Sequence, residues 1–129
     1  MADNLQVELV AADRVVWSGP ARMVIARTAE GDVGVLRGHT PILSVLMSCV
    51  VEITEPEGAQ HFVAVDDGIL SVAHDRVSIL SQHAVLSDEI DLDAARAQLE
   101  EAEADPDDQE SQARARAAQA RIRAFERAR

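Results

Sequence analysis

Four histidines, one cysteine, an aspartate pair and an Asp-x-x-Arg step are the side chains of this sequence best equipped for chemistry. His39, His61, His74 and His83 offer imidazole nitrogens to a metal, but no two stand at the i, i+4 spacing that puts paired ligands on one helix face, so no metal site is expected. Cys49 lies in an apolar, strand-like stretch and reads as a buried structural thiol; as the only cysteine it makes no intrachain disulfide, which fits a reducing compartment. Asp66, Asp67 and His39 could exchange protons, yet nothing pairs a nucleophile with a base and no Gly-x-Ser-x-Gly turn occurs, so the chain is expected to be non-catalytic. Asp93 and Arg96, at i, i+3, read as an ordinary surface ion pair. The glycine-rich run from Glu30 to Leu43 lacks the Lys-Ser/Thr ending and the following helix of a phosphate loop, and on composition alone is a strand between two turns.

Two kinds of element must position these groups. From Leu5 to Leu80 short apolar runs with a period of two (Leu5, Val7 and Leu9; Val77 and Ile79) are broken at Gly19-Pro20, Glu30-Gly31-Asp32, Gly38-His39-Thr40-Pro41, Pro56-Glu57-Gly58 and Asp67-Gly68, a pattern that predicts a sandwich or barrel. After Leu86 glycine vanishes and the period becomes helical. Leu92, Ala95, Leu99 and Ala102 share one face behind an Asp91 cap, and Ala115, Ala118, Ile122 and Phe125 form the stripe of a second helix, with Asp105 as its cap and Pro106 in its first turn. The expected organisation is a domain at 1–86 and a two-helix domain at 87–129, with helices at about 91–104 and 106–128 folded as a hairpin.

Charge separates these parts. The formal net charge is −11 and all twelve basic residues are arginine, so nucleic acid and anionic lipid are not expected partners of the whole chain. Residues 1–86 carry 11 acids and 5 arginines, 87–108 carry 10 and 1, and 109–129 carry 2 and 6, giving an acidic first helix (net −9) and a basic second one (net +4). Such a pair attracts itself, but through exposed ion pairs worth only about 0–1 kcal/mol each, so the hairpin is expected to be marginal. No run approaches the roughly 18 apolar residues of a membrane span and Met1–Asn4 lacks the opening of a signal peptide, so membrane association is expected only through a partner.

The run Glu30-Gly31-Asp32-Val33-Gly34-Val35-Leu36-Arg37-Gly38-His39-Thr40-Pro41-Ile42-Leu43 resembles the Glu-Gly-x-x-Gly-x-x-x-x-His-x-Pro-Leu/Ile-Leu motif of bacterial F-type ATP synthase epsilon subunits. Trp17-Ser18-Gly19 is similar to the end of that family's opening hairpin, Val65–Val72 and Val77–Leu80 to its closing strands, and Leu92-Asp93-Ala94-Ala95-Arg96-Ala97 to its Ile/Leu-Asp-x-x-Arg-Ala motif. The resemblance implies an α+β chain, a ten-stranded antiparallel β-sandwich followed by an α-helical hairpin, acting in the rotor of a proton-translocating ATP synthase. It implies a gamma subunit and a c-ring as partners, contacted through Glu30, Gly31, Asp32, Gly38 and His39, and a peripheral place on the cytoplasmic face of the bacterial membrane. It further implies a second helix that reaches the alpha/beta catalytic subunits and inhibits ATP hydrolysis.

No cofactor is required. ATP as a regulatory ligand would be held by Asp93 and Arg96, with Arg123 and Arg127 adding charge, but Ser87 and Glu103 replace an acid and an arginine of the nucleotide-binding members, so binding is expected to be weak or absent. A reading of another class is a free-standing β-sandwich binding module with a helical recruitment tail.

Overall fold

The computed structural model describes residues 4–28 and 31–128. Eight strands, β1 (Leu5–Val10), β2 (Val15–Ala21), β3 (Met23–Thr28), β4 (Gly31–Leu36), β5 (Ile42–Leu46), β6 (Cys49–Thr54), β7 (Gln60–Ala73) and β8 (Arg76–Leu86), precede two helices, α1 (Leu92–Glu103) and α2 (Gln109–Arg127). The expected sandwich followed by a helical pair is present, but with eight strands instead of ten, because β7 and β8 each serve both sheets. The first sheet runs β2-β1-β8-β7-β5 and uses Arg76–Leu80 of β8 and Gly68–Val72 of β7. The second runs β4-β3-β6-β7-β8 and uses Gln60–Val65 of β7 with the latter half of β8. The sandwich is also not wholly antiparallel: β1 lies parallel to β8, with Val7 opposite Val77 and Leu9 opposite Ile79.

Two expected turns are strand instead. Asp67-Gly68 lies within β7, where the β7–β8 ribbon passes from one sheet to the other. Gly68 is needed there for room, since a Cβ would stand 2.3 Å from the Leu80 carbonyl oxygen. Gly19-Pro20 lies within β2, an edge strand, the one strand position where a missing N–H costs no ladder bond. The chain changes sheet just after, at Arg22, whose N–H donates to the Thr54 carbonyl (2.8 Å). The β7–β8 hairpin closes through His74 and Asp75, both with positive φ (51° and 60°), a two-residue turn made without glycine.

Leu5, Val7, Leu9, Val24, Val35, Leu46, Val51, Ile53, Leu70, Val72 and Ile79 fill the space between the sheets. The second sheet is covered on its outer face as well. Every residue of β6 is buried, Cys49, Val51 and Ile53 toward the sandwich and Val50 toward α2, where it meets Phe62, Ala64, Ala120 and Ala124. Burial raises the Cys49 thiol to about 11, helped by the charge of Asp67, so it stays an inert thiol.

Asp91 caps α1, its Oδ1 accepting from the Ala94 N–H at 3.1 Å. Helix α2 starts later than expected and is capped by Asp108, not Asp105: Asp108 Oδ2 accepts from both the N–H (3.1 Å) and the hydroxyl (3.0 Å) of Ser111. The Asp-x-x-Ser step at Asp108 offers two capping donors, the N–H and the hydroxyl of Ser111, where the Asp-x-x-Asp step at Asp105 offers only an N–H, so Pro106 stays in the connecting turn. The fully buried face of α2 is Ser111, Ala117, Ala118, Ala120 and Ala124, while Ala115, Ile122 and Phe125 of the expected stripe are half-buried. Small side chains face inward because α2 packs closely against both α1 and the sheet.

Candidate functional site

Among the described residues no helix lies over the outer face of the first sheet, and its side chains are not those of a solvated face. Val45, Ile69, Leu80, Val10 and Val15 are direct cross-strand partners in sequence, β5 to β7 to β8 to β1 to β2, and form one apolar row across the whole sheet. Val45 is 81 % exposed, Val15 57 %, Leu80 53 % and Ile69 44 %, with Leu43 (77 %) beside the row. Directly paired side chains stand about 5 Å apart, so the row is a continuous stripe, and a contiguous exposed apolar surface of this kind marks a protein contact. The expectations from sequence missed it. The available signal was apolar residues at consecutive strand positions, Val45-Leu46, Ile69-Leu70 and Ile79-Leu80, which put one apolar side chain on each face.

The residues expected as rotor contacts fall at two places. Gly31 and Asp32 begin β4, whereas Gly38 and His39 follow its far end, about 20 Å along the strand direction at 3.3 Å per residue. Glu30 lies outside the described residues. Asp32 is exposed and pairs with Arg27 Nη1 at 2.6 Å. Gly38 (φ 83°) donates its N–H to Asp75 Oδ1 at 2.7 Å, which ties this loop to the β7–β8 turn, and His39 Nδ1 lies 2.6 Å from the Thr40 carbonyl oxygen.

Four residues expected at a nucleotide are not brought together. Asp93 and Arg96 are exposed on α1 and form no ion pair with each other among the described residues. Arg123 is exposed on α2 and approaches Gln119 (3.5 Å), and Arg127 is held by Glu52. A cavity of about 410 Å³ between the helices and β7 is lined instead by Asp66, Gln98, Glu101, Ser111, Arg114 and Arg121. Its two carboxylates balance its two guanidinium groups, a poor setting for a polyanion.

Two ionic anchors fasten α2 to the sandwich. Arg121 Nη2 donates to Asp66 Oδ2 (2.9 Å) and reaches His83 Nδ1 (3.2 Å), while its Nη1 donates to Gln98 on α1 (3.4 Å). Burial raises the Asp66 carboxyl above its ordinary value despite the opposing charges of Arg121 and His83. At the second anchor Glu52 Oε2 accepts from Arg27 Nε and from Arg127 Nε, both at 2.5 Å. Burial alone would raise Glu52, only 6 % exposed, but the bonds from Arg27 and Arg127 outweigh it and hold the carboxyl below the usual range. A third pair, Arg14 to Glu89 (2.7 Å), ties β1–β2 to the turn before α1.

The two anchoring carboxylates should respond oppositely to acid. A lowered folded-state value makes the Glu52 contribution complete above about pH 4.3 and lost as the pH falls through the lowered value, whereas a raised one makes ionised Asp66 a cost at neutral pH that protonation relieves. Urea midpoints measured from pH 5 to pH 2.5 should therefore fall less steeply for Glu52→Gln than for the wild type. Parallel pH slopes would contradict the assignment.

Residues 4–87 match the family described as ATP synthase, Delta/Epsilon chain, beta-sandwich domain. The chain is 52 % identical to an ATP synthase epsilon chain of Streptomyces griseus over 99 residues, 77 % of this chain and 80 % of that one. It is 46 % identical to the epsilon chain of Rhodococcus jostii over 97 residues (74 % and 80 %) and 41 % identical to that of Corynebacterium diphtheriae over 100 residues (77 % and 80 %). Among solved structures it resembles a chain of the Euglena gracilis mitochondrial ATP synthase OSCP/F1/c-ring assembly, with a TM-score of 0.80, 25 % identity, and 99 % of this chain and 82 % of that one covered. It shares its fold with a chain of the Tetrahymena thermophila mitochondrial ATP synthase central stalk and c-ring (TM-score 0.58, 15 % identity, 98 % and 97 % covered).

Proposed function

The chain belongs to the ATP synthase delta/epsilon family as a non-catalytic epsilon chain of the central stalk, and from that premise we propose that it docks on the gamma subunit through the apolar row of its first sheet. One observation carries this reading: of the two outer sheet faces, α2 covers one, and the other presents Val45, Ile69, Leu80, Val10 and Val15 unbroken from edge to edge. Removing such a face from water is worth about 25 cal/mol per Å² before the entropic costs of association are subtracted. A rotor subunit that must stay attached has use for such a face.

Asp32, at the start of β4, and the Gly38–His39 loop, at its other end, are separate second contacts, with Asp32 offered to a cation of the c-ring. Among the described residues no helix is long and apolar enough to cross a membrane, and the chain reaches the cytoplasmic face of the membrane through these partners. The hairpin is the regulatory part: docked on the sandwich it is held back, and released it offers its basic second helix to acidic surface on the catalytic alpha/beta subunits, slowing ATP hydrolysis.

Ile69→Glu tests the docking face. Its side chain already meets solvent, so the sandwich should fold as before, while a carboxylate buried without a partner at the centre of the interface should weaken co-purification with the gamma subunit about 30- to 100-fold. Retention of gamma at the wild-type level would sink the assignment of this face.

A further inference from the structure

We propose that Arg27 is a charge relay, through which a cation docking on Asp32 loosens the hold of the sandwich on helix α2. Four side chains from four elements make one line: Asp32 (β4), Arg27 (β3), Glu52 (β6) and Arg127 (α2). Arg27 stands at its centre, its Nη1 on Asp32 at 2.6 Å and its Nε on Glu52 Oε2 at 2.5 Å. Arg127 Nε reaches that same Glu52 oxygen at 2.5 Å. Two guanidinium groups thus share one carboxylate oxygen, and Asp32 draws part of the charge of Arg27 away from it.

With all four ionised the charges cancel. If Asp32 is neutralised, the remaining three carry a net positive charge around a single buried carboxylate. The Arg27 fork already faces Glu52, with Nε on Oε2 (2.5 Å) and Nη2 at a long 3.5 Å from Oε1; fixed in a strand and freed from Asp32, Arg27 closes that long second bond and takes a firmer hold of Glu52. Arg127, 44 % exposed near the end of a helix, is the partner with least to hold it, and it leaves. A lysine or arginine of a docked partner placed on Asp32 does to the line what neutralisation does. Docking at the β4 end and loosening of the α2 end, on opposite sides of β3 and β6, thereby become one electrostatic event.

This inference rests on the proposal that the hairpin is releasable, and its test is independent of gamma docking because it uses the free intact chain. Amide hydrogen exchange is followed in the last two turns of α2, around Ala120–Arg127, with Leu9 and Ile79 of the β1–β8 pair as reporters of global opening. Arg127→Gln should raise exchange at the α2 amides about two- to fivefold. Asp32→Asn, at an exposed residue whose ion pair is with Arg27 of β3, should raise the same amides by a comparable factor and leave Leu9 and Ile79 unchanged. The double variant should exchange no faster than Arg127→Gln alone, because both changes act at one contact. Wild-type exchange in Asp32→Asn overturns the relay, as does an equal rise at Leu9 and Ile79, or two effects that multiply in the double variant. Each of these results leaves the Ile69→Glu co-purification experiment free to succeed or fail on its own.

Discussion

Gly68→Ala should lower the thermal midpoint by more than 10 °C or prevent folding, the largest effect expected of any single methyl group added to this chain. The added Cβ would lie 2.3 Å from the Leu80 carbonyl oxygen, 3.2 Å from its carbon and 3.3 Å from the Ser81 Cβ. The first of these is backbone in the paired strand, so no rotamer change relieves it, and the β7–β8 ladder must open at the point where both strands pass from one sheet to the other. A cost of about 3–4 kcal/mol follows, with each kcal/mol shifting a midpoint of a domain this size by several degrees. Gly34→Ala is the matched control: nothing lies within 4 Å of its Cβ, and replacing a strand glycine should leave stability the same or raise it by about 0.5–1 kcal/mol. Thermal unfolding followed by circular dichroism decides, and equal midpoints for the two variants would refute the steric account.

Ala120→Asp should detach the hairpin while sparing the sandwich. Ala120 is fully buried against Val50, Phe62 and Ala64, so an aspartate there takes a charge into an apolar cluster, at a cost of about 3–5 kcal/mol against docking. That exceeds what two partly exposed ion-pair anchors return. Exchange protection in α2 should fall about a hundredfold or more, whereas Leu9 and Ile79, in the separate core between the sheets, keep theirs. In the assembled enzyme the released helix should slow ATP hydrolysis, and deletion of residues 109–129 should speed it. Changes of hydrolysis in the same direction for both would count against the hairpin as the inhibitory element.

The architecture was readable from local pattern where one physical cause acted at a time. Alternating Leu5, Val7 and Leu9 predicted a half-buried strand, and Asp91 before Leu92 predicted a cap; both are found. The pattern misled where tertiary packing supplied a second cause. Asp67-Gly68 has the composition of a turn, but its glycine answers to the Leu80 carbonyl across the ladder, a contact invisible along the chain. Of the expected α2 stripe, Ala115, Ala118, Ile122 and Phe125, only Ala118 is fully buried, because a helix wedged between α1 and a sheet turns its small alanines inward and leaves the larger Ile122 and Phe125 at the margin. The functional groups divide in the same way. Glu52 within Val50–Ile53 was a visible anomaly, a charge in an apolar run that had to find partners, but which arginines it would meet depended on β3 and α2. The apolar row could not be read as a row at all before the register of five strands was known.

Since β7 and β8 each run through both sheets without a break, the sandwich is also a mechanical unit. Two sheets joined only by loops can slide over one another under torque, but these share two continuous strands, fourteen and eleven residues long, clasped along their length. A twist applied at the apolar row therefore arrives at the sheet beneath α2 through covalent bonds and a hydrogen-bonded ladder, with little lost to shear. For a part that turns with a shaft, that stiffness lets the rotor's motion reach the helical hairpin undamped.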